Sequence, residues 1–430
     1  MTAENPADTP PAVEQPAVEQ PVPPNGARFL GDEKTFWRLL TRGALLLLVT
    51  LGIYRFWLAT DVRRTLWNNT EVAGDTLEYV GTARELLIGF LIAIAFLVPI
   101  YAVFYLGALL GGAVGQIFGS LPLLVLALLG QFAVYRARRY RLTRTVYRGI
   151  RFHQTGSGWR YAVCALFWWA MIAVTLGLAY PFAQASLERF KMRNTYYGDL
   201  QGHFVGSGLR LFLRGVLFWA VVVVPFLLGM MFAIGEIDWS ALADTLKRGG
   251  DDVAGRIEGA NVGAAVSVAV ICVTWSIIAA ALLYPVFQAM VLRWWVSGLR
   301  FGTLTVTSRL GTGAVYALYL RFMWIALLCG AVIGIAAAIG FALTAILDAV
   351  LGTGVVTQLL ATAVAIGSYV AIALAYSTIY QATVRLRLWK ACVESLEFSG
   401  LEALGRVKTS GAVSSALGEG LADALNVGGI

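Results

Sequence analysis

From Leu86 to Tyr135 the chain carries no charged side chain at all. A helix needs about 20 apolar residues to cross the hydrocarbon of a bilayer. The run is therefore long enough for two crossings and too apolar to sit in water. Charge is scarce elsewhere too: 13% of the 430 residues are Asp, Glu, Lys or Arg and 58% are hydrophobic. A soluble domain carries roughly a quarter of its residues as charge. The supply cannot solvate two or three soluble domains, which excludes a soluble enzyme, a disordered chain and a nucleic-acid-binding domain. The expected fold class is an all-α polytopic membrane protein with about eight transmembrane helices. The candidate spans lie near 38–59, 85–110, 115–135, 160–182, 211–234, 263–290, 315–346 and 355–383.

The sparse charge is unevenly placed. Residues 1–27 hold Glu4, Asp8, Glu14 and Glu19 without a base and are rich in Pro, so they read as a disordered acidic tail. A repeated transmembrane domain is expected over 28–400 and a polar C-terminal tail over 401–430. Net charge is +8, and in a membrane protein positive charge marks cytoplasmic loops and meets anionic lipid heads. Arg136, Arg138, Arg139, Arg141, Arg144, Arg148 and Arg151 crowd one segment, and no acid occurs between Leu86 and Leu187. The first reading is a topology determinant in which Arg138, Arg139, Arg141, Arg144, Arg148 and Arg151 contact lipid head groups. A sharper one is a site for a phosphate-bearing ligand, since the guanidinium fork matches phosphate geometry. An acidic loop, 236–258, is expected on the opposite side.

Chemistry-bearing motifs are missing. Cys164, Cys272, Cys329 and Cys392 are far apart and read as small buried hydrophobes. His153 and His203, the two histidines, have no carboxylate or Cys cluster beside them in sequence, which makes a poor metal site. There is no HExxH, GxSxG or phosphate-binding loop, so neither an enzyme nor a cofactor is expected. No basic segment precedes an apolar one at the N-terminus, so no cleavable signal peptide is expected. Span centres free of acids and bases argue against a proton-driven pump.

Internal recurrence is the most informative pattern. Thr50-Leu51-Gly52-Ile53 returns as Thr175-Leu176-Gly177-Leu178. After the first come Arg63, Arg64, Asn69, Thr70 and Gly74; after the second come Arg189, Asn194, Thr195 and Gly198. A further copy carries Arg138, Arg139, Thr145 and Gly149, and a fourth echoes Tyr180-Pro181-x2-Gln184 as Tyr284-Pro285-x2-Gln288. A degenerate fifth sets Leu396-Glu397-Phe398 against Leu77-Glu78-Tyr79. Each unit reads as an apolar helix, a short interfacial strand–turn–strand and a Gly-rich elbow.

Phe29-x-Gly31, Thr50-Leu51-Gly52-Ile53-Tyr54-x-Phe56-Trp57, Asn69-Thr70-x3-Gly74-x4-Tyr79-x-Gly81-Thr82 and Thr145-x-Tyr147-Arg148-Gly149-Ile150-Arg151-Phe152 resemble the bacterial YjgN-like family, a domain of unknown function found in inner-membrane proteins. The resemblance covers nearly the whole chain after residue 28. It departs in the fifth copy, where Ala391-Cys392 stands in place of Asn-Thr. It implies a multi-pass protein of the bacterial inner membrane and no particular activity. The expected function is that of a permease- or channel-like protein around a central path, with a non-catalytic scaffold or anionic-phospholipid-binding protein as the alternative. The small-molecule substrate is unknown, and assembly into homo-oligomers is left open. Orientation also stays open. If 160–182 crosses, the basic loops fall on both sides; if it is re-entrant, all five share one side.

Overall fold

The computed structural model describes residues 26–240, 243, 261–351 and 354–408. The acidic tail up to Asn25, most of the 236–258 loop and the polar tail beyond Lys408 lie outside the described residues. The chain begins with β1 (Ala27–Phe29), α1 (Glu33–Val49) and α2 (Arg55–Asn68), then the hairpin β2 (Thr70–Val72) and β3 (Asp75–Tyr79). Next come α3 (Ala83–Ala108), α4 (Gly112–Thr143), β4 (Thr145–Tyr147) and β5 (Ile150–Gln154). The third group is α5 (Gly158–Val174), α6 (Tyr180–Arg193), β6 (Thr195–Tyr197) and β7 (Leu200–Phe204). The fourth is α7 (Gly208–Glu236), α8 (Val262–Gly298), β8 (Leu299–Phe301) and β9 (Leu304–Ser308). The last comprises α9 (Thr312–Leu351), α10 (Gly354–Tyr380), a π-helical turn (Gln381–Arg385), α11 (Leu386–Glu394) and β10 (Leu396–Ser399).

The chain is mostly helical, as a polytopic α membrane protein should be, and its short strands join in one ten-stranded sheet rather than standing as separate hairpins. Each strand pairs antiparallel with the next in sequence from β1 to β10. Gly26, just before β1, bridges Glu397 in β10, so a single bridge brings the two ends of the sheet together into a ring. This closure revises the alignment of the degenerate fifth copy. The fifth hairpin position is filled by the two ends of the chain, with β10 as its first strand and β1 as its second. Leu396–Phe398 therefore occupies the place of Thr70–Val72 rather than that of Leu77–Tyr79. No turn joins β10 to β1, so no turn glycine is needed there.

Closure of the ring also places the helix pairs relative to one another. Every helix pair starts from one strand of the ring and returns to the next, so the five hairpin positions share one side. Among the described residues six helices are long and apolar enough to span a bilayer: α3, α4, α7, α8, α9, and α10 with its continuation to Glu394. The expected spans 38–59 and 160–182 do not belong among them. Each is broken at the recurring Thr-Leu-Gly phrase. Leu51 and Gly52 have φ of +48° and +89°, and Leu176 and Gly177 have +49° and +97°. Gly52 N–H donates back to Leu47 O at 2.8 Å and Gly177 N–H to Ile172 O at 2.7 Å. This six-to-one bond over left-handed residues is how a helix is brought to a stop. The Thr50 and Thr175 hydroxyls then accept the amides of Tyr54 and Ala179, each at 3.0 Å, and start the return helix. At 1.5 Å per residue the 17 residues of α1 reach about 26 Å, short of a hydrocarbon core of about 30 Å. The tips stay apolar and bare, with Leu51 93% exposed and Val174 79% exposed.

Packing is concentrated near the barrel. Phe36 and Leu40 of α1, Val62 and Leu66 of α2, Leu386 and Val393 form one buried cluster, and α1 packs on α10 to close the circle of helices. Further from the barrel the long helices present bare apolar surface, as a lipid-facing helix must.

The barrel itself is filled. Ten strands enclose more space than the eight whose lumen side chains can fill. Tyr147, Tyr197, Val306 and Phe398 meet inside, with Phe152 and Phe301 against them. The Tyr197 hydroxyl donates to Tyr147 O at 3.0 Å and the Tyr147 hydroxyl to Val72 O at 2.9 Å, so the phenol groups are satisfied without water. The residual gap is taken by the C-terminal segment. A 3-10 turn (Leu401–Arg406) puts Leu401, Leu404 and Val407 against the same cluster. Lys408 N–H then donates to Asp199 Oδ1 at 3.0 Å and Asp199 N–H to Lys408 O at 3.2 Å. The segment thus runs from β10 to the β6–β7 turn, far round the ring. Residues 401–408 belong to the fold rather than to the polar tail expected from residue 401.

Candidate functional site

Where the helices meet the barrel, the strand starts are built alike. Thr70, Thr145 and Thr195 each open the first strand of a hairpin. Their hydroxyls donate to the carbonyls of Leu66, Arg141 and Lys191 four residues back, at 2.6, 2.9 and 2.8 Å, which satisfies carbonyls at the end of the helix. Each also accepts a bond from the preceding helix group: Trp389 Nε1 to Thr70 at 2.9 Å, Trp67 Nε1 to Thr145 at 3.1 Å, and Arg138 to Thr195 at 3.5 Å. Asn69 and Asn194 cap the helix ends by donating to Thr65 O and Phe190 O, each at 2.7 Å. Gly74, Gly149 and Gly198 sit in the hairpin turns at positive φ. These recurring residues build the scaffold.

The arginines expected at lipid head groups are divided by the structure. Arg144 is turned inward, with its side chain 6% exposed, and holds Glu85 by two bonds of 3.1 Å. The Tyr140 hydroxyl shares that carboxylate at 2.7 Å. Arg148 lies at the β4–β5 turn and pairs with Asp75 at 2.5 Å. Arg151 faces outward on β5 and Arg189 is exposed on α6. His153 stacks on Tyr196 at 5.1 Å, and burial followed by the charge of Arg139 lowers its pKa. His203 pairs in register with Arg300 instead, so the histidines share no site.

Arg138 belongs to an interior ionic group. Its guanidinium lies 3.8 Å from Glu188, which is 6% exposed and also bonds Lys191. Burial raises the Glu188 pKa, but Lys191 and Arg138 outweigh it and the carboxyl titrates below its ordinary range. Burial, with the like charges of Arg138 and Arg141, pulls Lys191 down against the pull of Glu188. Arg385 is the last residue of the π-helical turn, and its Nε atom is buried. Arg63, 3% exposed, donates to the Tyr79 hydroxyl at 3.2 Å, and Arg64 donates to Gly81 O at 2.9 Å.

Above this group the helices carry tyrosines. Tyr180 of α6 and Tyr284 of α8 line the same groove. Tyr319 donates to Gln288, and its ring meets Tyr284 edge-on at 5.5 Å. The Tyr-Pro-x2-Gln phrases therefore sit around one level of the helix circle. Beyond them lie two apolar grooves over the short helix pairs. One, of about 360 Å³, runs from Gly177, Tyr180 and Pro181 to Phe212, Trp219 and Tyr284. The other, of about 510 Å³, lies between Leu48 and the Ala363–Leu374 stretch of α10. Among the described residues no group of three or more His, Cys, Asp or Glu could hold a metal ion.

Sequence reasoning found the scaffold residues and missed Glu188, Lys191 and Arg385. One signal was available: Glu188 is the first acid after the acid-free stretch that ends at Leu187. No curated protein and no solved structure matches the chain. The family of bacterial proteins of unknown function DUF898, to which the YjgN-like proteins belong, matches residues 25–424. The chain is a member of that family.

Proposed function

We propose that the protein is a non-catalytic, lipid-binding scaffold of the bacterial inner membrane, and that it binds anionic phospholipid in the gaps of its helix circle. The observation that carries this reading is the combination of a filled barrel with incomplete walls. The aromatic lumen and the C-terminal segment leave little room for a path to water through the ring. The two short helix pairs leave notches where bare apolar tips such as Leu51 and Val174 face the acyl region. A permease remains the second reading, favoured by the interior ionic group, where a permeant anion would rest. It requires the C-terminal segment to leave the barrel. We also infer that the five groups of elements arose by duplication, on the strength of their common order and the recurring threonine bonds.

Native mass spectrometry of the purified protein tests the lipid reading. Phosphatidylglycerol is expected to stay bound at collision energies that strip phosphatidylethanolamine, and proteoliposomes are expected to hold small anions without leak. Equal loss of both lipids, or rapid anion flux, contradicts it.

A further inference from the structure

We propose that a belt of exposed bases around the helix end of the ring is a docking surface for the anionic headgroups of the barrel-side leaflet. It deepens the lipid reading above and rests on it for the class of lipid. The helices α1, α3, α5, α7 and α9 each begin four residues after the strand before them ends. Their starts therefore stand at one level around the ring. Lys34, Arg84, Arg160 and Arg210 are the second or third residues of α1, α3, α5 and α7, and all four are exposed. Arg214 repeats the charge one turn further along α7, and Arg321 supplies it on α9. None of these six side chains makes an ion pair or a hydrogen bond with the described residues. A cation in the first turn opposes the helix dipole, so helix stability does not account for the recurrence.

The surroundings select a lipid surface as the partner. Trp159, beside Arg160, and Trp324, three residues beyond Arg321, are both exposed, and Trp gathers at headgroup level. Three residues beyond Arg214, Leu217 is bare, and α7 then carries no charge until Glu236. The bases thus stand on the border between the barrel and the lipid-facing helix surface. The far ends of the spanning helices differ. Among the described residues the charged side chains there, Glu236, Asp238 and Asp348, are acids. Charge complementarity therefore favours anionic headgroups on the barrel side alone, where each base near the surface adds to the attraction. The belt is not the arginine-rich segment of the sequence, since Arg144 and Arg148 are taken by Glu85 and Asp75.

The test uses the full chain in proteoliposomes doped with spin-labelled phosphatidylglycerol or phosphatidylcholine. Electron spin resonance reads the relative association of each lipid with the protein surface. The wild type is expected to favour phosphatidylglycerol by about threefold. In about 1 M salt, where the Debye length is about 3 Å, the preference is expected to fall toward unity. The combined variant Arg84→Gln, Arg160→Gln, Arg210→Gln, Arg214→Gln and Arg321→Gln is expected to lose most of it. Arg→Lys changes at the same five positions are expected to keep it, because the surface is read by charge. Arg210→Gln with Arg214→Gln alone is expected to fall between, which covers poor folding of the combined variant. Arg148→Gln, at the β4–β5 turn, is expected to leave the preference unchanged. Equal association of both lipids with the wild type, or a preference that the glutamine variants leave intact, overturns the proposal and gives the belt to an acidic protein or to water. If the wild type loses phosphatidylglycerol in the mass spectrometer while this preference holds, the notch sites fall and the belt stands.

Discussion

Glu188→Ala is expected to lower stability by about 3–5 kcal/mol, because removing one partner of a buried ion pair leaves the other charges uncompensated. The carboxylate is 6% exposed and serves both Lys191 and Arg138, so two cations lose their partner at once. Glu188→Gln keeps the shape and loses the charge, and is expected to fall between the wild type and the alanine variant. The pH dependence follows from the direction of the shift. The folded-state pKa of Glu188 lies below its ordinary value, so its contribution is complete above about pH 4.5, the usual carboxylate range. It fades as pH falls through the folded value. The gap in unfolding midpoint between wild type and Glu188→Gln should be constant near neutrality and narrow in acid. A gap that widens in acid would contradict the pairing.

Removal of residues 401–430 is the second large effect. Leu401, Leu404 and Val407 pack against the cluster inside the barrel, and one buried and two partly buried aliphatic side chains together contribute about 4 kcal/mol. The truncated protein is expected to unfold at a lower midpoint and to admit water-soluble quenchers to the barrel interior. Gly198→Ala reports on the same docking without deletion. Gly198 has φ +55°, and a Cβ there would meet Lys408 O at 2.4 Å and Val407 Cγ1 at 2.5 Å. It should therefore reproduce much of the truncation. An unchanged midpoint in both variants would mean that the segment does not plug the barrel.

These effects show which parts of the molecule were written plainly in the chain. Helix positions followed from apolar runs, and the hairpins from Asn69-Thr70-x3-Gly74 and its echoes. Closure of the sheet was not legible, because it depends on pairing Gly26 with Glu397 across nearly the whole chain, and no local pattern records such a contact. The Thr-Leu-Gly phrase was visible as a recurrence, yet its meaning lies in backbone angles: Leu51 and Leu176 at positive φ turn an apolar run that composition reads as a crossing. The arginine segment was equally ambiguous. Arg144 and Arg148 sit four residues apart, and one is buried on Glu85 while the other lies at a turn on Asp75. The direction in which an arginine points depends on which acid the fold brings near.

The central claim is that the strands form one ring on one side of the membrane, with α1–α2 and α5–α6 entering the bilayer and returning. Cysteine labelling of the sealed-membrane protein tests it most directly. Single cysteines at Glu71, Arg151 and His203, in a chain whose four native cysteines are replaced by alanine, report on β2, β5 and β7. The closed ring predicts that a membrane-impermeant maleimide labels all three from the same face, while cysteines at Leu51 and Leu176 resist it from both faces. Labelling of Arg151→Cys from one face and His203→Cys from the other would mean that residues 158–193 cross the membrane, and would contradict the account.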